Sequence, residues 1–192
     1  MIKAIAFDYA GVIAQGPVSG WLKQNFPAED KRHELFNQYS KKWDMGEVNL
    51  QQFYGMISDV TDIAPEQVWK TYFENSIVNK DVIKIIKKLK KNYKIVLFSN
   101  NFAQLLRKIL DKQNITDLFD EILISSEHKI IKPSIEYFNL MLLTAKVSKN
   151  EVVFIDDSQV NVDSSNNQGI KAFLYRDVVT LKKDLQRFGI LI

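Results

Sequence analysis

The stretch Ile2-Lys3-Ala4-Ile5-Ala6-Phe7-Asp8-Tyr9-Ala10-Gly11-Val12-Ile13 decides how the rest of the chain is read. A short apolar run stops at a carboxylate and then turns at a glycine. The run is nearly continuous rather than alternating, the pattern of a parallel strand buried on both faces. An aspartate at the mouth of such a strand is costly to desolvate unless a cation meets it. Asp8 therefore needs a partner. Position 10, where a second carboxylate would make an acid–base pair, holds Ala10.

Four more runs share this character: residues 94–98, 121–124, 152–155 and 171–174. Amphipathic stretches over 103–113 and 134–145 lie between them, with apolar residues at helical spacing. Alternating strand and helix predicts right-handed βαβ units and an α/β fold, an open parallel Rossmann-like sheet with helices on both faces. One crossover is far too long. Residues 14–78 hold no convincing strand and read as four helices over 18–25, 29–43, 50–59 and 65–75. We expect a helical insertion over 14–78, and a core domain made of 1–13 and 79–192. All three tryptophans (Trp21, Trp43 and Trp69) fall in the insertion. Its aromatics are expected to form a small core of their own, with one or two available to line a pocket. The lysine-rich stretch 81–93 reads as a sheet-packed helix with a solvated face rather than a membrane-binding one.

Composition narrows the function. Twenty-six Lys and Arg against 23 Asp and Glu leave a net charge of +3, too little field to suggest nucleic-acid binding. There are no cysteines, which excludes disulfides, thiolate zinc sites and cysteine nucleophiles. No apolar stretch approaches the ~18 residues of a membrane span. The expected setting is cytoplasmic, without membrane or nucleic-acid partners.

Polar residues stand beyond the carboxyl ends of four of the strands, at the edge where parallel sheets bind ligands. They are Asp8 with Tyr9 and Ala10; Ser99 with Asn100; Lys132 with Pro133; and Asp156-Asp157, followed by Asn161. Ser99, Asn100 or Asp157 alone could be a helix cap. Three converging carboxylates are harder to explain structurally, because two unit charges about 4 Å apart repel by roughly 4 kcal/mol at an effective dielectric of about 20. A hard cation such as Mg2+ removes that repulsion. Lys132, the Ser99 hydroxyl and the amides after Asp8 would then be donors for a phosphoryl group.

This order of motifs resembles the haloacid dehalogenase-like (HAD) superfamily over the whole chain. Lys132-Pro133-Ser134-Ile135-Glu136-Tyr137-Phe138 is similar to its Lys-Pro segment, and Ile155-Asp156-Asp157-Ser158 to its acidic motif. The insertion, with Gly46-Glu47-Val48 and Phe53, looks like the helical cap of its small-phosphatase subfamily. The resemblance implies a Mg2+-dependent phosphatase of small phosphorylated metabolites, sugar phosphates first. It implies Asp8 as nucleophile and metal ligand, with the Ala10 carbonyl and Asp157 as further ligands and Asp156 direct or through water. Tyr9, Ala10, Ser99, Asn100 and Lys132 would bind the phosphoryl group, Ser99 and Lys132 also serving catalysis.

Ala10 departs from the pattern. Most phosphatases of this superfamily carry there the aspartate that protonates the leaving group, and such a group is worth ~10²–10⁴-fold. Solvent, substrate or a cap residue would have to supply the proton. Two alternatives follow: a catalytically weak phosphate- or partner-binding protein, and a phosphonoacetaldehyde-hydrolase-like enzyme. The latter shares a motif like Asp8-Tyr9-Ala10-Gly11 but needs a cap lysine, for which Lys23, Lys31, Lys41, Lys42 and Lys70 are candidates. Of the two histidines, His33 is expected at a surface or boundary of the insertion, and His128 in the loop before Lys132, near the site.

Overall fold

The computed structural model describes residues 1–190; Leu191 and Ile192, the end of the expected core segment, lie outside the described residues. Five strands, β1 (Ala4–Phe7), β2 (Lys94–Ser99), β3 (Glu121–Ile124), β4 (Val152–Asp156) and β5 (Lys171–Leu174), form one sheet in the order β3-β2-β1-β4-β5. Every pairing is parallel. Each predicted strand is present. β2 and β4 run one residue further than the apolar pattern suggests, so Ser99 and Asp156 belong to the ladder and share its rigidity.

Among the described residues, ten α-helices accompany the strands. The first five are α1 (Pro17–Asn25), α2 (Lys31–Asp44), α3 (Leu50–Thr61), α4 (Pro65–Asn75) and α5 (Lys80–Leu89). The others are α6 (Ala103–Lys112), α7 (Ser125–His128), α8 (Ile135–Ala145), α9 (Gln159–Asn167) and α10 (Val178–Arg187). Side-chain alternation along the strands divides the sheet's packing into two layers. Ile5, Phe7, Ile95, Leu97, Val153 and Ile155 face α5, α6 and α10. Ala4, Ala6, Val96, Phe98 and Phe154 face α8 and α9. Helix α5 buries Val82, Ile85, Ile86 and Leu89 against the sheet and leaves Lys84, Lys87 and Lys88 exposed, as its amphipathic pattern predicts.

Helices α1–α4 pack around a third apolar cluster that includes Leu22, Trp43, Phe53, Val60 and Val68. Phe53 also stacks on Phe102 from the start of α6, with ring centroids 4.8 Å apart, which joins this cluster to the sheet. The insertion leaves and rejoins the sheet through a narrow stem. Gln15 N–H donates to the Ile77 carbonyl (3.0 Å) and Asn79 N–H to the Ile13 carbonyl (2.8 Å). A Cβ on Gly46, which follows α2 with φ +67°, would collide with the Ser126 carbonyl. Glycine at this turn lets the backbone of the insertion approach α7 closely.

Two elements were not anticipated from the sequence. Helix α7 is a single turn where a loop was expected. The Ser125 and Ser126 hydroxyls there accept the Asn101 and Ala103 N–H groups, at 3.0 and 2.9 Å, and tie β3 to the start of α6. Helix α10, capped by the Asp177 carboxylate on Thr180 N–H, closes the face containing Leu181 and Leu185. Among the described residues, no helix is long and apolar enough to cross a membrane.

Candidate active site

The strand order places β1 between β2 and β4, whose connections leave in opposite directions, so a crevice opens beyond its carboxyl end. Asp8 is the first residue past β1, and its N–H donates to the Ile155 carbonyl at 2.9 Å. The chain then turns sharply. The Tyr9 carbonyl accepts the N–H groups of both Ile13 and Ala14, each at 2.9 Å. Gly11 carries φ +84°, and a Cβ there would run into the Asp157 carboxylate. Glycine thus serves both the left-handed backbone and the approach of the two acidic loops.

Lys132 occupies the centre of the site, its side chain 1% exposed. Its ammonium donates to Asp156 Oδ2 (2.7 Å) and to the Phe98 carbonyl (2.9 Å), and lies 3.0 Å from Asp8 Oδ1. Asp156 is fully buried and well supplied with donors, for it also accepts from Ser158 N–H (2.8 Å) and from Asn161 Nδ2 (3.1 Å to each oxygen). The Asn100 side chain grips the Lys132 backbone from both sides. Its Oδ1 accepts the Lys132 N–H (2.8 Å) and its Nδ2 donates to the Lys132 carbonyl (3.0 Å). Asn100 therefore positions Lys132 with its side chain.

Asp8, Asp156 and Asp157 each bring a carboxylate oxygen within 4.8 Å of the others. Three carboxylates face one ammonium. Burial pushes the Asp8 carboxyl above its ordinary range; Lys132 opposes this, while Asp156 and Asp157 add to it. Burial and then Asp156 raise Asp157 as well. Burial by itself would lower the Lys132 ammonium, but Asp8 and Asp156 lift it above its ordinary value. Asp8 Oδ1 is buried with the Lys132 ammonium 3.0 Å away as its one cationic neighbour among the described residues. Acceptor-only oxygens and three carboxylates against one ammonium together fit a hard divalent cation. Ser99 Oγ is buried with no hydrogen-bond partner among the described residues. An unpaired buried hydroxyl costs about 1–3 kcal/mol, so a ligand that accepts from it is physically favoured.

A cavity of about 670 Å³ opens beside Asp8 and Asp157, a size suited to a small metabolite, while Ser99, Lys132 and Asp156 are buried and not part of its lining. Asp8, Ala10, Gly11, Asn100 and Asp157 line its floor, and Lys23, Phe36, Trp43, Asp44 and Tyr72 of the insertion line its roof. Three aromatics of the insertion thus border the pocket besides building their own core. Asp44 was not singled out from the sequence, although one signal existed: a carboxylate in the last turn of a helix opposes the helix dipole.

The family model for haloacid dehalogenase-like hydrolases matches residues 2–169. The chain belongs to this hydrolase family. It is 24% identical over 190 residues to the D-ribitol-5-phosphate phosphatase of Bacteroides thetaiotaomicron, covering 90% of this chain and 91% of that protein. It is 27% identical over 213 residues to bifunctional epoxide hydrolase 2 of Rattus norvegicus, covering 97% of this chain and 38% of that one. A Bacteroides thetaiotaomicron HAD family enzyme, solved with magnesium and inorganic phosphate, superposes with a TM-score of 0.71 at 20% identity over 92% of this chain and 95% of that one. L-2-haloacid dehalogenase from Xanthobacter autotrophicus shares the fold with a TM-score of 0.69 at 18% identity, over 100% of this chain and 85% of that one.

In this HAD-like hydrolase the tyrosine beside Asp8 serves the core. The Tyr9 phenol lies 3.1 Å from Ser76 Oγ and donates to Gln113 Oε1 (3.2 Å), because adjacent side chains on an extended segment point apart. Only its backbone is available to a phosphate. Of the five lysines considered for a Schiff base, Lys23 alone lines the cavity. His128 is exposed at the end of α7 and absent from the cavity wall. His33 is half-buried on α2, a boundary residue as expected.

Proposed function

We propose that this hydrolase is a Mg2+-dependent phosphatase of small phosphorylated metabolites, sugar phosphates first, acting through a phospho-aspartate at Asp8. The observation that carries the reading is the buried Asp8 carboxylate, 3.0 Å from the Lys132 ammonium and clustered with Asp156 and Asp157 beside a metabolite-sized cavity. Likeness to a D-ribitol-5-phosphate phosphatase along most of both chains supports the substrate class. Helices α1–α4 would serve as a cap over a core of 1–13 and 79–192.

Asp8, the Ala10 carbonyl and Asp157 would hold Mg2+, with Asp156 reserved for orienting Lys132. When bound, the ion would offset the repulsion among the carboxylates and draw charge from the phosphoryl oxygens. Ser99 Oγ, the Asn100 N–H and the amides of the Tyr9–Ala10 turn would donate to the phosphoryl group, and Lys132 would balance its charge. An Asp8 oxygen attacks phosphorus as the ester P–O bond breaks, and the departing oxygen takes a proton. Water then attacks the phospho-aspartate, its P–O bond to Asp8 breaks, and phosphate leaves.

The test is a Mg2+-dependent screen over sugar, nucleotide and alkyl phosphates, with Asp8→Asn as control. Turnover is expected on sugar or polyol phosphates and should fall on the order of 10³-fold or more in Asp8→Asn. If no phosphate ester is hydrolysed, or the variant keeps wild-type rates, a binding role replaces the catalytic one.

A further inference from the structure

We infer that Asp44, at the end of α2, is the proton donor and acceptor that Ala10 leaves missing. The inference rests on the phosphatase reading and extends it. Asp44, from the end of α2, lines the same cavity as Asp8 and lies close enough to feel its charge. It sits in the last turn of a helix, where unpaired carbonyls disfavour negative charge. Basic residues suit that position, and Lys41 and Lys42 occupy the same turn. A carboxylate placed against this preference, with Trp43 beside it buried in the apolar cluster of the insertion, stabilises nothing locally. Among the described residues, no hydrogen bond to its carboxyl contributes to its ionisation. What acts on it is burial, then the charge of Asp8, with Lys132 opposing, and these push it up to about 7. The remaining titratable groups that sense it are Tyr72 from α4 and Tyr137 from α8, both held high by burial first. Near neutral pH the carboxyl can therefore exist in both forms, as an acid–base group requires.

The proton balance is closed. In the first step the protonated Asp44 gives its proton to the ester oxygen as the P–O bond breaks, releasing the alcohol and leaving the Asp44 carboxylate. In the second, that carboxylate takes a proton from water as its oxygen bonds to phosphorus, which restores both Asp8 and Asp44.

Leaving-group dependence separates this role from a structural one. kcat/KM reports the steps up to alcohol release, and p-nitrophenolate needs little protonation whereas an alkoxide needs a full proton. We expect Asp44→Asn, assayed with Mg2+ in the full chain, to lower kcat/KM on D-ribitol 5-phosphate by about 10²-fold or more, and on p-nitrophenyl phosphate by less than about tenfold. kcat should fall on both substrates, with phosphorylated Asp8 accumulating. The alkaline limb of the pH profile on the alkyl ester should disappear. Asp44→Glu, which keeps the carboxyl, should recover part of the alkyl activity. Equal losses on the two esters, or an unchanged pH profile, would overturn the assignment. Should Asp44→Asn unfold, the comparison passes to Asp44→Glu and Asp44→Ser, and similar activity in both overturns it equally. Wild-type turnover that Asp8→Asn abolishes tells this failure apart from failure of the phosphatase reading, which would remove both.

Discussion

At Lys132 a single ammonium answers two buried carboxylates and a carbonyl, and no water-exposed path is left for the charge. Removing it strands Asp8 and Asp156 in the interior. The expected cost of Lys132→Ala is about 3–5 kcal/mol of folding stability, read by urea denaturation in a chelating buffer. Mg2+ should recover part of that loss by compensating Asp8. A variant as stable as wild type without metal would mean that water already reaches these carboxylates. Asp8 was legible from the sequence because a carboxylate ending an apolar strand violates the desolvation rule wherever it occurs. Asn100 was legible only as a strand-end polar residue. That its side chain holds the backbone of Lys132, 32 positions away, depends on how β2 and the loop after α7 meet.

Among the elements, the turn between α2 and α3 carries the most structural consequence for the site. It holds Gly46 against the Ser126 backbone and so sets where α2, with Trp43 and Asp44, ends relative to the sheet edge. Gly46→Ala forces a left-handed conformation on a residue with a Cβ and drives that Cβ into a main-chain carbonyl. The expected loss is about 1–3 kcal/mol in thermal unfolding, accompanied by reduced activity as α2 shifts. An unchanged midpoint would show that the turn yields without cost. The helices of the insertion were readable from their apolar periodicity, while α7 and α10 were not anticipated. One turn is too short to show a period, whereas α10 does have amphipathic spacing at Leu181 and Leu185 and a capping Asp177.

Over the whole molecule, the placement of several acids around one cavity makes stability depend on pH and on metal together. Burial holds the Asp8 and Asp44 carboxyls above their ordinary value of 3.8, Asp44 up to about 7. Folding therefore favours their protonated forms. That stabilisation is complete below the unfolded value and is lost as pH rises through the folded one. In a chelating buffer the melting midpoint should fall between pH 5 and pH 8. Added Mg2+ should raise it more at pH 8 than at pH 5, because cation and proton compete for Asp8. A Mg2+ effect that is equal or larger at pH 5 would contradict the proposed ligand set.

The sequence alone determined the parallel sheet, the long helical insertion and the four strand ends that bear chemistry. These are encoded locally, in runs of buried apolar residues and in the polar residue that interrupts each one. The tertiary structure decided which of those residues line the cavity. Tyr9 turned into the core, Asp156 became an anchor for Lys132, and Asp157 took the cavity side. It also brought Asp44 to the cavity that Asp8 lines, a juxtaposition that local sequence does not record, because it is set by the packing of α1–α4 on one another and onto the sheet. Ala10 marks the boundary between the two. Its missing carboxylate is plain in the sequence, and Asp44 reaches the same cavity only once the chain has folded.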